Sequence, residues 1–365
     1  QIKMSEIKLE NLEKSFDDFV AVEKSDLTIK DNEFFVLLGP SGCGKTTTLR
    51  MIAGLELPTS GKILLDNEDV TFLRASQRDI AFVFQLFALY PHMNVKKNLA
   101  FPLKMQGFKK SEINKRLEEV SELLRIQHLL NSKVSSLSGG DRQRVALGRA
   151  IVRRPKAFLM DEPLGTLDAE FRELMCLELR KLHNDIKATT VYVTHDQLEA
   201  MSMGDRIAVM NKGKIIQFGT PKDIYLRPKT KFVGSFIGSP AMNFIPIHHS
   251  IEKNQNKIVI NGETYDVPQS LSGTNSSINY LGIRPEKMFL NDKKGIPGVV
   301  FGSEYLGARK ILTIKSEFGD FKVRVSNQTN AQIGSNVKIN FEPKSAIVFD
   351  GETDNAIESK YIKLN

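Results

Sequence analysis

Residues Gly39-Pro40-Ser41-Gly42-Cys43-Gly44-Lys45-Thr46 match the phosphate-loop pattern G-x-x-x-x-G-K-[ST] at every position. The flanks suit it. An apolar β-like run, Phe34-Phe35-Val36-Leu37-Leu38, comes before, and a helix-like run, Thr47-Thr48-Leu49-Arg50-Met51-Ile52-Ala53, follows and stops at Gly54. In a strand–loop–helix unit the glycines let backbone N–H groups turn inward around a polyphosphate, and the helix N-terminus adds a partial positive charge. Lys45 then reaches the terminal phosphates, and the Thr46 hydroxyl holds Mg²⁺. The chain is therefore expected to contain an α/β nucleotide-binding domain. The loop alone does not say what the nucleotide is for.

At 365 residues the chain has room for two domains. It has no run of about twenty apolar residues, the length needed to span a bilayer. The N-terminus, Gln1-Ile2-Lys3-Met4, has no apolar signal core, and Met4 reads as a natural start behind three extra residues. Two cysteines, Cys43 and Cys176, make neither a disulfide framework nor a metal pattern, so a reducing compartment is expected. The net charge is +8, with 36 basic against 30 acidic residues up to residue 235 and 15 against 13 after it. This diffuse excess suits a polyphosphate or an anionic membrane surface. It is not the dense Lys/Arg stripe of a nucleic-acid binder, so no nucleic-acid partner is expected.

In chain order, Glu6-Ile7-Lys8-Leu9, Val20-Ala21-Val22 and Leu27-Thr28-Ile29 read as short strands, with Phe16 between the first two. Phe16 either stacks on a purine ring or plugs a loop against the core, and spacing leaves the two even. Strands are expected at 62–66 and 80–84, with Gln85 directly after the second. A strand-end amide can hold a metal or orient a water, but on its own it more often bonds backbone. The stretch 86–93 is apolar and irregular, which suggests a partner surface. A helix follows Ser111, with Ile113, Leu117, Val120 and Leu124 on one face. Leu137-Ser138-Gly139-Gly140-Asp141 opens the helix 142–153, with Ser138 as its N-cap. Two glycines at a helix start make either a second anion-binding turn or simply a tight turn.

Ala157-Phe158-Leu159-Met160-Asp161 is a buried strand ending on a carboxylate, followed by Glu162 and Pro163. Asp161 at such a strand end can hold Mg²⁺ through water, and Glu162 can take a proton from a water attacking a γ-phosphate. Alone, the pair is as readily a helix cap; beside a phosphate loop the catalytic reading prevails. Leu167-Asp168 starts a long helix with Phe171, Met175, Leu179, Leu182 and Ile186 as its stripe. After the strand 189–193 comes His195, placed to donate to a γ-phosphate. Asp196 and Glu199 are spaced as an N-cap with its reciprocal partner. The runs 207–210 and 214–218 read as a hairpin. From about 236 long helices cease and short alternating runs recur, such as 257–260, 310–314 and 338–341. This is an all-β domain, sandwich or small barrel, with His248-His249 lacking a third ligand.

In this order the pieces resemble the ATPase subunit of ABC transporters over residues 5–235. Gly39–Thr46 looks like Walker A, Gln85 the Q-loop and Leu137–Asp141 the LSGGQ signature. Ala157–Glu162 looks like Walker B with its catalytic glutamate, Pro163–Asp168 the D-loop and His195 the switch histidine. Tyr90-Pro91-His92-Met93-Asn94-Val95, with Asn98 and Phe101-Pro102-Leu103, is similar to importers of sugars and related solutes. Gly282-Ile283-Arg284-Pro285-Glu286 and Glu304-Tyr305-Leu306-Gly307 resemble the OB-fold regulatory domain of maltose-type ATPases.

The resemblance implies a P-loop NTPase domain at 5–235, with a helical subdomain about 86–155, and an OB-fold-like domain at 236–365. It implies ATP bound by Phe16, Gly39, Pro40, Ser41, Gly42, Cys43, Gly44, Lys45, Thr46 and Thr47. Glu162, His195 and Gln85 are then catalytic, and Thr46, Gln85 and Asp161 hold Mg²⁺. A second copy, or a paralogous ATPase subunit, contributes Ser138, Gly139, Gly140 and Asp168 in trans. Membrane permease subunits, and indirectly an extracytoplasmic solute-binding protein, are the implied partners at the cytoplasmic face of the membrane. The solute stays open between sugars and polyamines, phosphate esters or metal ions. A non-transport ABC ATPase acting on nucleic acid or ribosomes is the other class, disfavoured by the absence of coiled coils and of a second cassette. Two departures stand out. The signature ends in Asp141 where the family usually has Gln, and the D-loop has Gly165-Thr166 where Ser-Asn is usual. Asp141 is expected to point away from the phosphate, leaving the contacts to Ser138 and the glycine N–H groups, and to weaken the ATP-closed dimer.

Overall fold

Five parallel strands carry the first unit, and their apolar runs explain why. The sheet order is β10-β9-β3-β8-β7-β6, with β3 (Phe34–Leu38) and β8 (Thr189–Thr194) at its centre. Beside them lie β6 (Ile80–Val83), β7 (Ala157–Asp161) and β9 (Arg206–Asn211), and antiparallel β10 (Lys214–Gly219) closes one edge. Strands covered on both faces bury every side chain, as all five residues of β3 and all six of β8 do. The computed structural model describes residues 6–84, 88–165, 167–291 and 293–360, so Gln85 and Thr166 lie outside the described residues.

A second sheet, ordered β2-β1-β4-β5, comprises β1 (Ile7–Phe16), β2 (Phe19–Ile29), β4 (Ser60–Leu65) and β5 (Glu68–Asp69). The two short runs expected at 20–22 and 27–29 are one eleven-residue strand, whose register against β1 shifts three times. These bulges break the alternation that would have joined the runs in the sequence. The core between the two sheets takes Phe35 and Leu37, Leu159, Val191 and Val193 from one side and Ile7, Leu9 and Ile29 from the other. Helix α1 (Lys45–Ala53) adds Leu49, Met51 and Ile52 to it.

A buried cation that the sequence did not announce anchors the far end of α1. Arg78 is 1 % exposed and donates to the carbonyls of Met51, Ile52, Thr71 and Leu73. It thus satisfies the terminal carbonyls of the helix that leads out of the phosphate loop. Burial pushes its guanidinium below the ordinary arginine value.

Three helices form the intervening region: α2 (Val95–Met105), α3 (Lys110–Leu123) and α4 (Gly139–Ile151). The α3 stripe buries Ile113, Leu117 and Val120, as the spacing predicts. Helix α5 (Ala169–Ile186) packs on the other face of the large sheet, where Leu179 and Leu182 line a small cavity with Phe158 and Met160. Helix α6 (Gln197–Met203) follows β8.

Lys222–Asn365 forms the second compact unit. It contains a five-stranded antiparallel sheet, a three-stranded sheet and a two-stranded hairpin around a large apolar core, with a smaller cluster at Met242, Ile347, Phe349 and Ala356. The compositional change at about 236 falls inside this unit because the segment before it is held there. Arg284, 3 % exposed, donates to the carbonyls of Tyr225, Gly234 and Ile237 and lies over the Tyr225 ring.

Candidate nucleotide site

Because β3, β8, β7 and β6 are parallel neighbours, the residues that follow them gather along one edge of the sheet, where α/β folds place ligand groups. From β3 comes the phosphate loop. Gly42 and Gly44 adopt left-handed φ values of 76° and 101°. A side chain at Gly44 would meet the Ala21 carbonyl at 2.5 Å, so the loop is sealed against β2 as well as bent. Lys45 is 4 % exposed, and its ammonium lies across the loop, donating to the carbonyls of Gly39 at 2.8 Å and Pro40 at 2.9 Å. Cys43 is buried with its sulfur 3.9 Å from that ammonium, and burial pushes its thiol up. Ser41 and Thr46 are exposed.

From β7 come two carboxylates with different surroundings. The Thr46 hydroxyl donates to Asp161 Oδ1 at 2.9 Å, joining the end of the phosphate loop to the end of β7. Burial raises the Asp161 carboxyl above its ordinary value, with the Thr46 hydrogen bond opposing the shift and the Glu162 charge adding to it. Glu162 sits at φ 43°, a left-handed conformation that costs a non-glycine residue about 1 kcal/mol or more. Its N–H donates to Val193 O on β8, and its own carbonyl accepts from Gly165 N. This turn carries the Glu162 carboxylate to 3.1 Å from His195 Nδ1, the first residue past β8. Two adjacent strand ends thereby bring Glu162 and His195 together.

Phe16 ends β1 with its ring 44 % exposed and the Lys14 ammonium 4.6 Å from the ring centroid, so it does not plug the core. Gln85 and Thr166 lie outside the described residues, and the Q-loop and part of the D-loop with them.

The second glycine turn is built separately. Ser138 caps α4, its hydroxyl accepting from Asp141 N, and Asp168 caps α5, accepting from Phe171 N. A side chain at Gly140 would meet the Phe171 ring at 2.2 Å, so Gly140 lets α4 pack on α5, while Gly139 faces only Leu167 Cδ2 at 3.9 Å. Among the described residues, no hydrogen bond or ion pair joins Ser138, Gly139, Gly140 or Asp168 to the phosphate loop of the same chain.

Several supporting residues escape a reading by spacing. Asp196 does cap α6, accepting from Leu198 N and Glu199 N, but Glu199 does not complete a capping box. It turns inward, 3 % exposed, to accept from the hydroxyls of Tyr192 and Thr194. Those two hydroxyls lie in the strand beneath it, and the Asp196 N–H that a capping box would use donates to the Thr194 hydroxyl instead. Burial pushes the Glu199 carboxyl up. Arg172 donates to both the Leu167 carbonyl and Asp196, tying the turn before α5 to the turn after His195. Asn98, fully buried on α2, bonds both the N–H and the carbonyl of Tyr90 and the carbonyls of Met93 and Asn94. Arg149 lies over the Tyr90 ring and donates to Ala88 O. The irregular stretch 88–93 is thus held from below, with Pro91 and His92 exposed. The signal was a polar residue inside an apolar helical stripe, Val95-Asn98-Leu99-Leu103.

Residues 22–165 match the ABC transporter family, and residues 281–349 match the TOBE domain. The osmoprotective compounds uptake ATP-binding protein GgtA of Synechocystis is 43% identical over 97% of this chain and 100% of its own. This chain belongs to the ATP-binding subunits of ABC transporters. The trehalose/maltose import ATP-binding protein MalK of Thermococcus litoralis is 44% identical, again over 97% of this chain and 100% of its own. Among solved structures, the dimeric bacterial ABC transporter cassette MJ0796 matches with a TM-score of 0.54 at 33% identity, covering 59% of this chain and 98% of that one. As an ABC ATPase the chain binds ATP and hydrolyses it, on a P-loop domain followed by an all-β domain. No helix among the described residues of this ABC ATPase is long and apolar enough to cross a membrane.

Proposed function

We propose that this chain energises an importer of sugars or related solutes, as a dimer that holds two ATP at its interface. The observation that carries the reading is the single edge on which Thr46 meets Asp161 at 2.9 Å and Glu162 meets His195 at 3.1 Å. Thr46 and Asp161 form an oxygen-only donor pair, which fits a hard cation such as Mg²⁺. The ion would neutralise phosphate charge there, with Gln85 as a further ligand. Lys45 leaves its loop carbonyls for the terminal phosphates, and Phe16 offers its exposed ring to the adenine. Glu162 accepts a proton from the attacking water as its oxygen bonds to the γ-phosphorus and the bond to the ADP oxygen breaks. His195 orients Glu162 and donates to the γ-phosphate.

Among the described residues, no hydrogen bond or ion pair ties Ser138, Gly139, Gly140 or Asp168 to their own phosphate loop, which suits a role toward the ATP of a second copy. The γ-phosphate then holds the two copies together, and hydrolysis opens them. The stretch 88–93, fastened by Asn98 and Arg149, is the surface offered to the membrane permease at the cytoplasmic face. Relatives named for osmoprotectant, disaccharide and sn-glycerol-3-phosphate import match equally well over nearly their whole length, second domain included, which supports sugars and sugar-like solutes and keeps phosphate esters as the alternative.

The test is ATPase activity in proteoliposomes with the permease and solute-binding protein encoded beside this chain. Adding binding protein loaded with trehalose or maltose is expected to raise turnover several-fold. Turnover that ignores the permease and instead rises with DNA or RNA would move the chain to the non-transport class.

A further inference from the structure

Asp141 was expected to turn away from the reaction; it is bonded to the side chain on which the shared site depends. The Ser138 hydroxyl donates to Asp141 Oδ2 at 2.8 Å and accepts from Asp141 N at 3.1 Å. A serine hydroxyl has one proton. Here that proton is given to a carboxylate, a charge-assisted bond about twice as strong as a neutral one. Ser138 therefore has no proton for a phosphate oxygen until Asp141 lets go.

The structure also offers the carboxylate somewhere to go. Arg144, one turn along α4, places its guanidinium 3.9 Å from Asp141 Oδ1 and 3.5 Å from Glu178 Oε2. Both separations are too long for hydrogen bonds, and Arg144 Nε is buried without a hydrogen-bond partner. The guanidinium is half-buried over the Phe171 ring, so it is a charge held close to Asp141 with donors to spare.

We propose that Asp141 is a latch on the Ser138 hydroxyl that sets how much ATP is needed to close the dimer. The proposal rests on the shared-site reading above. A phosphate presented by the second copy takes the Ser138 proton, and the released carboxylate closes on Arg144. No covalent bond changes. The exchange of one anionic acceptor for another is nearly balanced. The Asp141 charge beside the incoming triphosphate is an added cost, and two-fold symmetry applies it at both sites. Asp141 is a positioning residue: it acts on the phosphate through Ser138, and it keeps the copies apart when ATP is scarce.

The experiment is ATP-dependent dimerisation by sedimentation, in a Glu162→Gln background so that nothing is consumed. Asp141→Asn and Asp141→Gln each remove the charge and weaken the acceptor, and either alone suffices if the other folds poorly. Both are expected to lower the ATP concentration at half-dimerisation about tenfold. The gap from the parent should narrow at high salt, because Asp141 is partly exposed and its repulsion is screened. A change in helix stability alone would leave the gap independent of salt. Equal half-points for the parent and both variants overturn the latch while leaving the shared site standing. A parent that stays monomeric at saturating ATP overturns the latch and the shared site together.

Discussion

Replacing Glu162 with glutamine is expected to lower ATP turnover about a thousandfold while preserving ATP binding. The amide keeps the shape of the carboxylate and its place beside His195, but it cannot accept a proton from water. The left-handed backbone at Glu162 and its bond to Val193 O are main-chain features that the substitution leaves intact. ATP binds and is not cleaved, so the closed dimer accumulates. Single-turnover hydrolysis separates the possibilities. A slow chemical step with unchanged affinity is the expected result, and turnover within tenfold of the parent would remove Glu162 as the base.

Lys45→Met is expected to weaken ATP binding about 100-fold. Methionine follows the buried lysine stem closely, so the packing at this 4 % exposed position is largely kept. What disappears is the charge, and with it one strong contact to the terminal phosphates. The carbonyls of Gly39 and Pro40 lose their donor as well, which costs a few degrees of thermal stability at most, since Pro40 is only half-buried. Equilibrium binding of a fluorescent ATP analogue reads the effect directly. An affinity within twofold of the parent would show that the ammonium stays on its loop carbonyls when nucleotide binds.

The two substitutions separate binding from chemistry because the residues reach the site from different strands, and this part of the design was legible in the sequence. The apolar runs 34–38 and 157–161 and the β-branched run 189–193 announce buried parallel strands, and the residue types at their ends announce phosphate chemistry. Less legible were polar groups that face inward. Glu199 has the spacing of a helix cap, yet two hydroxyls from β8 draw it into the core. Arg78 looks like a surface residue because its partners are backbone carbonyls, which leave no mark on the side-chain pattern. The long strand β2 was hidden by its bulges. The residue type at Asp141 implied a weaker closed dimer, but not its bond to Ser138, because that depends on where the Ser138 proton points.

One premise underlies all of this: each chain carries only part of a working centre. Turnover per chain, measured on the isolated protein across a hundredfold range of concentration, tests it most directly. The account predicts activity that climbs with concentration in step with the dimer seen by sedimentation at the same ATP. Constant turnover per chain, from a protein that sediments as a monomer throughout, would contradict it.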